Sequence, residues 1–153
     1  DSDFAGCLDS RKSTSSFVFL LASGAISWKS VKQSTIASST MEAVFVACFE
    51  ASNHALWLRI FISGLGVVGS IAWQLKIYCD NTAAVFFSMN GKYFGGSKHM
   101  KVKYLVVRER VQKQPVLIEN LSTSLMIDDP FTKGLPPKTY KELVIRMGLL
   151  SNS

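Results

Sequence analysis

A chain of 153 residues, 48% of them hydrophobic, is long enough for one domain with a sizeable core and too apolar to stay disordered. Seventeen Lys and Arg against eleven Asp and Glu leave a net charge of +6, which suits either a polyanionic partner such as nucleic acid or a merely soluble surface. Cys7, Cys48 and Cys79 lie far apart without a CxxC, which argues against a disulfide framework or a zinc site and fits a reducing, intracellular compartment.

The first residues are polar and acidic, so no signal peptide and no secretion are expected. Starting at Asp1 without a methionine, the sequence is expected to be a fragment of a longer chain or a processed product. The run 17–22 is apolar and 25–32 alternates; Ser23-Gly24 between them predicts an antiparallel hairpin. Ser39 offers an N-cap, and Glu42, three residues on, completes a capping box. Val44, Ala47, Cys48, Ala51, Ala55, Leu58 and Ile62 follow at helical spacing, with the helix expected to end by Gly64. The most apolar stretch, 56–68, is interrupted by Arg59, Gly64 and Gly66, so no membrane span is expected.

Residues 74–79 alternate and predict a strand ending at Asp80. A short apolar helix is expected over 81–89, a glycine-rich loop over 90–97 and a basic amphipathic helix over 98–113. A strand over 115–120 and a helical turn over 128–135 follow. Pro136-Pro137 break that turn, and 139–147 form a last helix. This order predicts a mixed α/β domain with antiparallel and parallel pairings.

Four acidic segments stand at the ends of elements: Asp1 in DSDFAG, Glu42 in the first helical turn, Asp80 in IYCDN, and Asp128-Asp129 in DDPFTK. Singly, each has a local role: Asp80 as an N-cap, Asp128 and Asp129 favouring a helix start, Glu42 closing the capping box. Together they suggest carboxylates converging at one end of a sheet. A two-metal phosphoryl-transfer site needs such a set, because hard Mg²⁺ takes oxygen ligands.

The segments DSDFAGCLDSRKSTSSFVFLLASGAISWKS, KQSTIASSTMEA, ALWLR, IYCDNTAAV, SKHMKVKY and DDPFTKGLPPKTYKELVIRMGL resemble, in order and spacing, the ribonuclease H domain of copia-type retrotransposon polyproteins. The resemblance implies an α/β ribonuclease H-like fold, a mixed five-stranded sheet flanked by helices, with the first strand largely missing ahead of Asp1. It implies a domain over 1–135 with a C-terminal helix and tail over 136–153. It also implies cleavage of the RNA strand of RNA–DNA hybrids with two Mg²⁺ during reverse transcription, alongside the reverse transcriptase of the same polyprotein. The location that follows is a cytoplasmic virus-like particle or the nucleus.

Carried over by motif, the metal-binding and catalytic acids are Asp1, Asp80 and Asp129. The fourth acid of the family is a helix Glu in a pattern close to STMEAEF, and that position is Val44 here. Glu42 is the alternative ligand. Two helical residues subtend about 200°, so Glu42 does not take over from position 44. Val44 continues the apolar stripe, and a Glu there is expected to cost on the order of 1 kcal/mol. Lys101 stands where related copies tend to carry an acid, and the loop 121–127 lacks the His that many ribonucleases H use, as copia-type members generally do. His99 and His54 are read as structural.

For nucleic acid, the resemblance points to Ser39 and Thr40 at the backbone and Asn81 in the minor groove; Ser39 also suits plain capping. Lys98 and Lys101, with Lys103, Arg108 and Arg110, form one basic element, either a phosphate contact or a solvated face. Tyr93 and Phe94 suit core packing or sugar stacking. Two rivals to the enzyme stand: a catalytically dead nucleic-acid-binding remnant, because of Val44, and a basic interaction domain without a nucleic-acid role.

Overall fold

The computed structural model describes residues 1–6, 9–21, 24–66, 74–90, 98–113, 116–127 and 135–149. Asp128, Asp129, Cys7, Tyr93, Phe94 and most of the expected loop 90–97 and turn 128–135 lie outside those residues. Strand β1 (Ser2–Asp3) pairs antiparallel with β2 (Thr14–Leu21), which pairs antiparallel with β3 (Gly24–Lys32). The hairpin is thus present, and β2 starts earlier than expected because β1 pairs with Thr14 and Ser15. Helix α1 (Thr40–Leu65) follows, then β4 (Leu75–Cys79), α2 (Thr82–Met89), α3 (Lys98–Gln112) and β5 (Val116–Asn120). A 3₁₀ turn (Thr123–Leu125) that the sequence did not signal precedes α4 (Pro137–Arg146).

Among the described residues the five strands do not form the single mixed sheet expected. They form a three-stranded antiparallel sheet, ordered β1-β2-β3, and a two-stranded parallel sheet, β4-β5. Strand β1 spans two residues at the edge of the first sheet. The β1–β2 ladder still runs at Asp1, whose amino group donates to the Ser16 carbonyl at 2.9 Å while Ser16 N–H donates back to the Asp1 carbonyl at 3.0 Å. Beyond Asp1, β2 and β4 face one another across a groove of about 670 Å³, with Ala47, Cys48 and Ala51 of α1 among its lining.

Sequence spacing predicted an apolar stripe along α1. Instead, every residue from Ala43 to Cys48 is buried, because this half of the helix packs against β1, β2, β4, α2 and α3 together. The other half exposes Trp57, Ile60, Phe61 and Leu65. The helix also runs past Gly64. It stops at Gly66, whose φ of 65° is the left-handed conformation that favours glycine, and whose N–H reaches the Ser63 carbonyl at 3.3 Å. The core joins Val44, Phe45 and Cys48 to Cys79, Val85, Met100, Tyr104, Val107 and Ile118. Buried Gln33 donates to Ser15 Oγ at 2.9 Å and to the Ala43 carbonyl at 2.8 Å, tying β2 to the start of α1. Helix α4 docks through Met147, whose carbonyl accepts from Ala25 N–H at 2.7 Å, and through Arg146, which donates to the carbonyls of Ser124 and Leu125.

Candidate carboxylate site

Asp1 opens the β1 ladder and lines the groove; its Oδ1 accepts from Ser2 N–H at 2.6 Å. Asp80 directly follows β4, and its Oδ2 accepts from Thr123 Oγ1 at 3.3 Å. Asp1, Cys48 and Cys79 line the same groove, and Asp80 directly follows Cys79. The two thiols act on one another through hydrogen bonding and charge, and the Asp80 carboxylate acts electrostatically on both. The shared hydrogen bond and burial push Cys48 up. The same hydrogen bond pulls Cys79 down, helped by the Asn81 backbone against the opposing effect of burial.

Asp80 is not the N-cap of α2. Asn81 takes that place, its Oδ1 accepting from Ala84 N–H at 2.9 Å. An amide oxygen one residue nearer the helix meets the open N–H groups, which leaves the Asp80 carboxylate for Thr123. The cap therefore occupies the Oδ1 of Asn81, the residue expected to read the minor groove.

Glu42 sits in the first turn of α1, and Ser39 caps the helix, accepting from Glu42 N–H at 3.2 Å. The reciprocal half of the box is shifted by one residue: Glu42 Oε2 accepts from Ser38 N–H at 2.7 Å and from Ser38 Oγ at 2.6 Å. These bonds hold the Glu42 carboxylate against the chain entering the helix. Val44 is 3% exposed and sits within the core rather than on the edge of a stripe, so a carboxylate there costs more than the roughly 1 kcal/mol expected from sequence.

Among the described residues no group of three His, Cys, Asp or Glu side chains is placed to hold a metal ion. Two carboxylates, Asp1 and Asp80, are too few donors for two Mg²⁺, each of which takes about six oxygens. The described residues therefore do not fit the two-ion centre by themselves, and they support no cleavage step.

The basic element of α3 divides. Lys98 and Lys101 are exposed in its first turns, as is His99, which was expected to be structural. Lys103 and Arg110 turn inward onto the Phe49 ring of α1, and Arg110 also donates to Ser52 Oγ and Asn53 Oδ1. Thr40 is exposed at the start of α1. His54 is structural, sharing a hydrogen bond with Ser27 Oγ at 2.9 Å and stacking on Phe19. Sequence reasoning missed Thr123 as the partner of Asp80 and Arg146 on the groove wall, since neither carries a local signal.

No family model matches this sequence, and no solved structure matches it. The chain is similar to retrovirus-related Pol polyproteins of plant transposons. It is 34% identical over 152 residues to the Pol polyprotein from transposon TNT 1-94 of Nicotiana tabacum, covering 99% of this chain and 11% of that protein. Against the Pol polyproteins from transposons RE2 and RE1 of Arabidopsis thaliana it is 27% and 28% identical, covering 98% and 97% of this chain and 10% of each relative. The chain thus spans about a tenth of the length of the curated relatives it matches. Its homologues are Pol polyproteins of copia-type transposons, matched along almost its whole length. No helix among the described residues is long and apolar enough to cross a membrane.

Proposed function

We propose that this chain is a retrotransposon-derived ribonuclease H domain whose lineage cleaves the RNA strand of RNA–DNA hybrids by a two-metal mechanism, and that the chain itself binds the hybrid without cutting it. The observation that carries the reading is that Asp1 lines the groove beside the end of β4, with Asp80 directly following that strand, in a chain matched from end to end by Pol polyproteins. The observation that favours binding without cleavage is Val44, an apolar core residue where the resemblance expects a ligand. Loss of that ligand weakens the hold on divalent ions, whereas exposed Lys98 and Lys101 remain able to neutralise phosphates. The Asp129 ligand, the reverse transcriptase partner and the intracellular location belong to the same proposal.

The test is titration of labelled RNA–DNA hybrid with and without Mg²⁺. Binding is expected in both, weakening with salt, and no cleavage in either. Removing Lys98 and Lys101 together should lower the slope of log affinity against log salt by about one per lysine. Cleavage with Mg²⁺ would return the enzyme reading. Absence of binding at low salt would leave a basic interaction domain.

A further inference from the structure

We propose that a ladder of aromatic rings on the second half of α1 is a binding site for the unpaired bases of a single-stranded nucleic acid, separate from the carboxylates. His54, Trp57 and Phe61 follow one another along the helix, with ring centroids 5.7 Å and then 5.3 Å apart. Trp57 and Phe61 stack with their planes at 10°, and Phe19 of β2 backs His54 at 5.5 Å. The inner end of the ladder is packed on the sheet and the outer end is open, with Trp57 56% and Phe61 50% exposed. A nucleobase is a flat ring that extends such a stack, and stacking on aromatic side chains accepts any base.

Charge selects the occupant. The elements that supply and support the rings, β2, β3 and α1 from Ala51 to Leu65, carry Lys29, Lys32 and Arg59 and no carboxylate. Ser27 Oγ of β3 shares a hydrogen bond with His54 at 2.9 Å, which fastens the strand that holds exposed Lys29 to the ladder. A strand whose bases stack on the rings therefore brings its phosphates to a surface of positive charge. A second copy of this chain suits the face less well, because it joins two molecules of net charge +6.

The ladder stands apart from the other sites. Trp57 lies fifteen residues beyond Glu42 on α1, about 22 Å along the helix axis. His54, Trp57 and Phe61 do not line the groove between β2 and β4; Ala47, Cys48, Ala51 and Ala55 present another side of the helix to it. A blunt hybrid keeps its bases within its own stack, so only an unpaired strand reaches the rings. Trp57 and Phe61 carry no acceptor for a 2′-hydroxyl, so DNA and RNA strands are equivalent ligands. The site adds to the hybrid reading and does not rest on it.

The test is fluorescence anisotropy with a labelled oligothymidylate, an abasic strand of equal length and charge, and a blunt hybrid. Trp57→Ala and Phe61→Ala should each weaken oligothymidylate binding by about 5–150-fold, the span of one lost base stack, without changing its salt dependence. Trp57→Phe should restore most of the affinity. The abasic strand should bind weakly, and equally to the native chain and to Trp57→Ala. Lys29→Ala should instead lower the salt slope by about 0.7. Blunt-hybrid affinity should ignore Trp57→Ala, so a failure of hybrid binding leaves this result standing. Oligothymidylate affinity unmoved by either alanine, or an equal loss on the abasic strand, would overturn the proposal. So would sedimentation of the native chain as a dimer that Trp57→Ala dissociates. Both side chains are half exposed, so folding is expected to survive; should either alanine variant melt early, Trp57 fluorescence, quenched by oligothymidylate but not by the abasic strand, decides in the native chain against Trp57→Phe as the blank.

Discussion

Glu42 and Val44 lie two residues apart on α1 and face opposite environments: the Glu42 carboxylate accepts two hydrogen bonds from Ser38, while the Val44 side chain is closed into the core. Helical rotation of about 200° separates them. Each therefore answers to a different perturbation.

Val44→Glu should destabilise the chain by about 2–4 kcal/mol, because it replaces a buried apolar group by a carboxyl that must be desolvated. Urea unfolding measures it. If the position faces the carboxylate site, Mg²⁺ should recover part of the loss, since a divalent ion offsets repulsion among carboxylates. A loss below about 1 kcal/mol would mean that the helix accommodates the carboxyl at the core edge.

Glu42→Ala should lower stability by about 0.5–1.5 kcal/mol through loss of its two bonds from Ser38 and of the negative charge at the helix start, the Ser39 cap remaining. Hybrid affinity should stay unchanged. A fall in affinity larger than the fall in stability would make Glu42 part of the binding site instead.

Desolvation, followed by the charge of Lys29, holds the His54 imidazole below its ordinary range. A histidine depressed in the folded state is neutral in both states above the unfolded value of about 6.5, so its contribution is fully present there. As pH falls below that value the unfolded chain takes up the proton first, and stability is lost down through the folded pKa. Urea midpoints should therefore drop between about pH 7 and pH 5 more steeply in the native chain than in His54→Phe. Equal slopes would remove His54 from the pH dependence.

The Asp1–Ser16 pair sets a register in which residues joined ahead of Asp1 oppose Phe17, Val18 and Phe19 in turn. Fusing a segment as long as the five residues of β4, rich in Val and Ile, should fill the groove and raise the melting temperature. Each newly buried side chain gives about 1.5–3 kcal/mol, opposed by about 1–2 kcal/mol of backbone entropy per residue ordered, and a net kcal/mol moves Tm by about 2–4 °C. The same segment with a central proline lacks a ladder donor and should gain less. Identical melting of the two fusions would show that no strand forms in the groove.

What the sequence by itself determined was local. Ser39 at the helix start, the β2–β3 hairpin, the helix and strand order and the capping duty of Glu42 all depend on neighbours within a few residues, so periodicity and capping chemistry reveal them. Tertiary structure decided the rest. Periodicity predicts one buried face for α1, yet five surrounding elements bury its first half on all sides. Composition marks α3 as basic, yet the docking of Phe49 decides that Lys103 and Arg110 turn inward while Lys98 and Lys101 stay in water. Cys48 and Cys79 come to line one groove, and Asp80 meets Thr123, across separations over which the chain carries no pattern. Such contacts form only when distant elements pack together, and the geometry of packing is a property of the whole core rather than of any stretch within it.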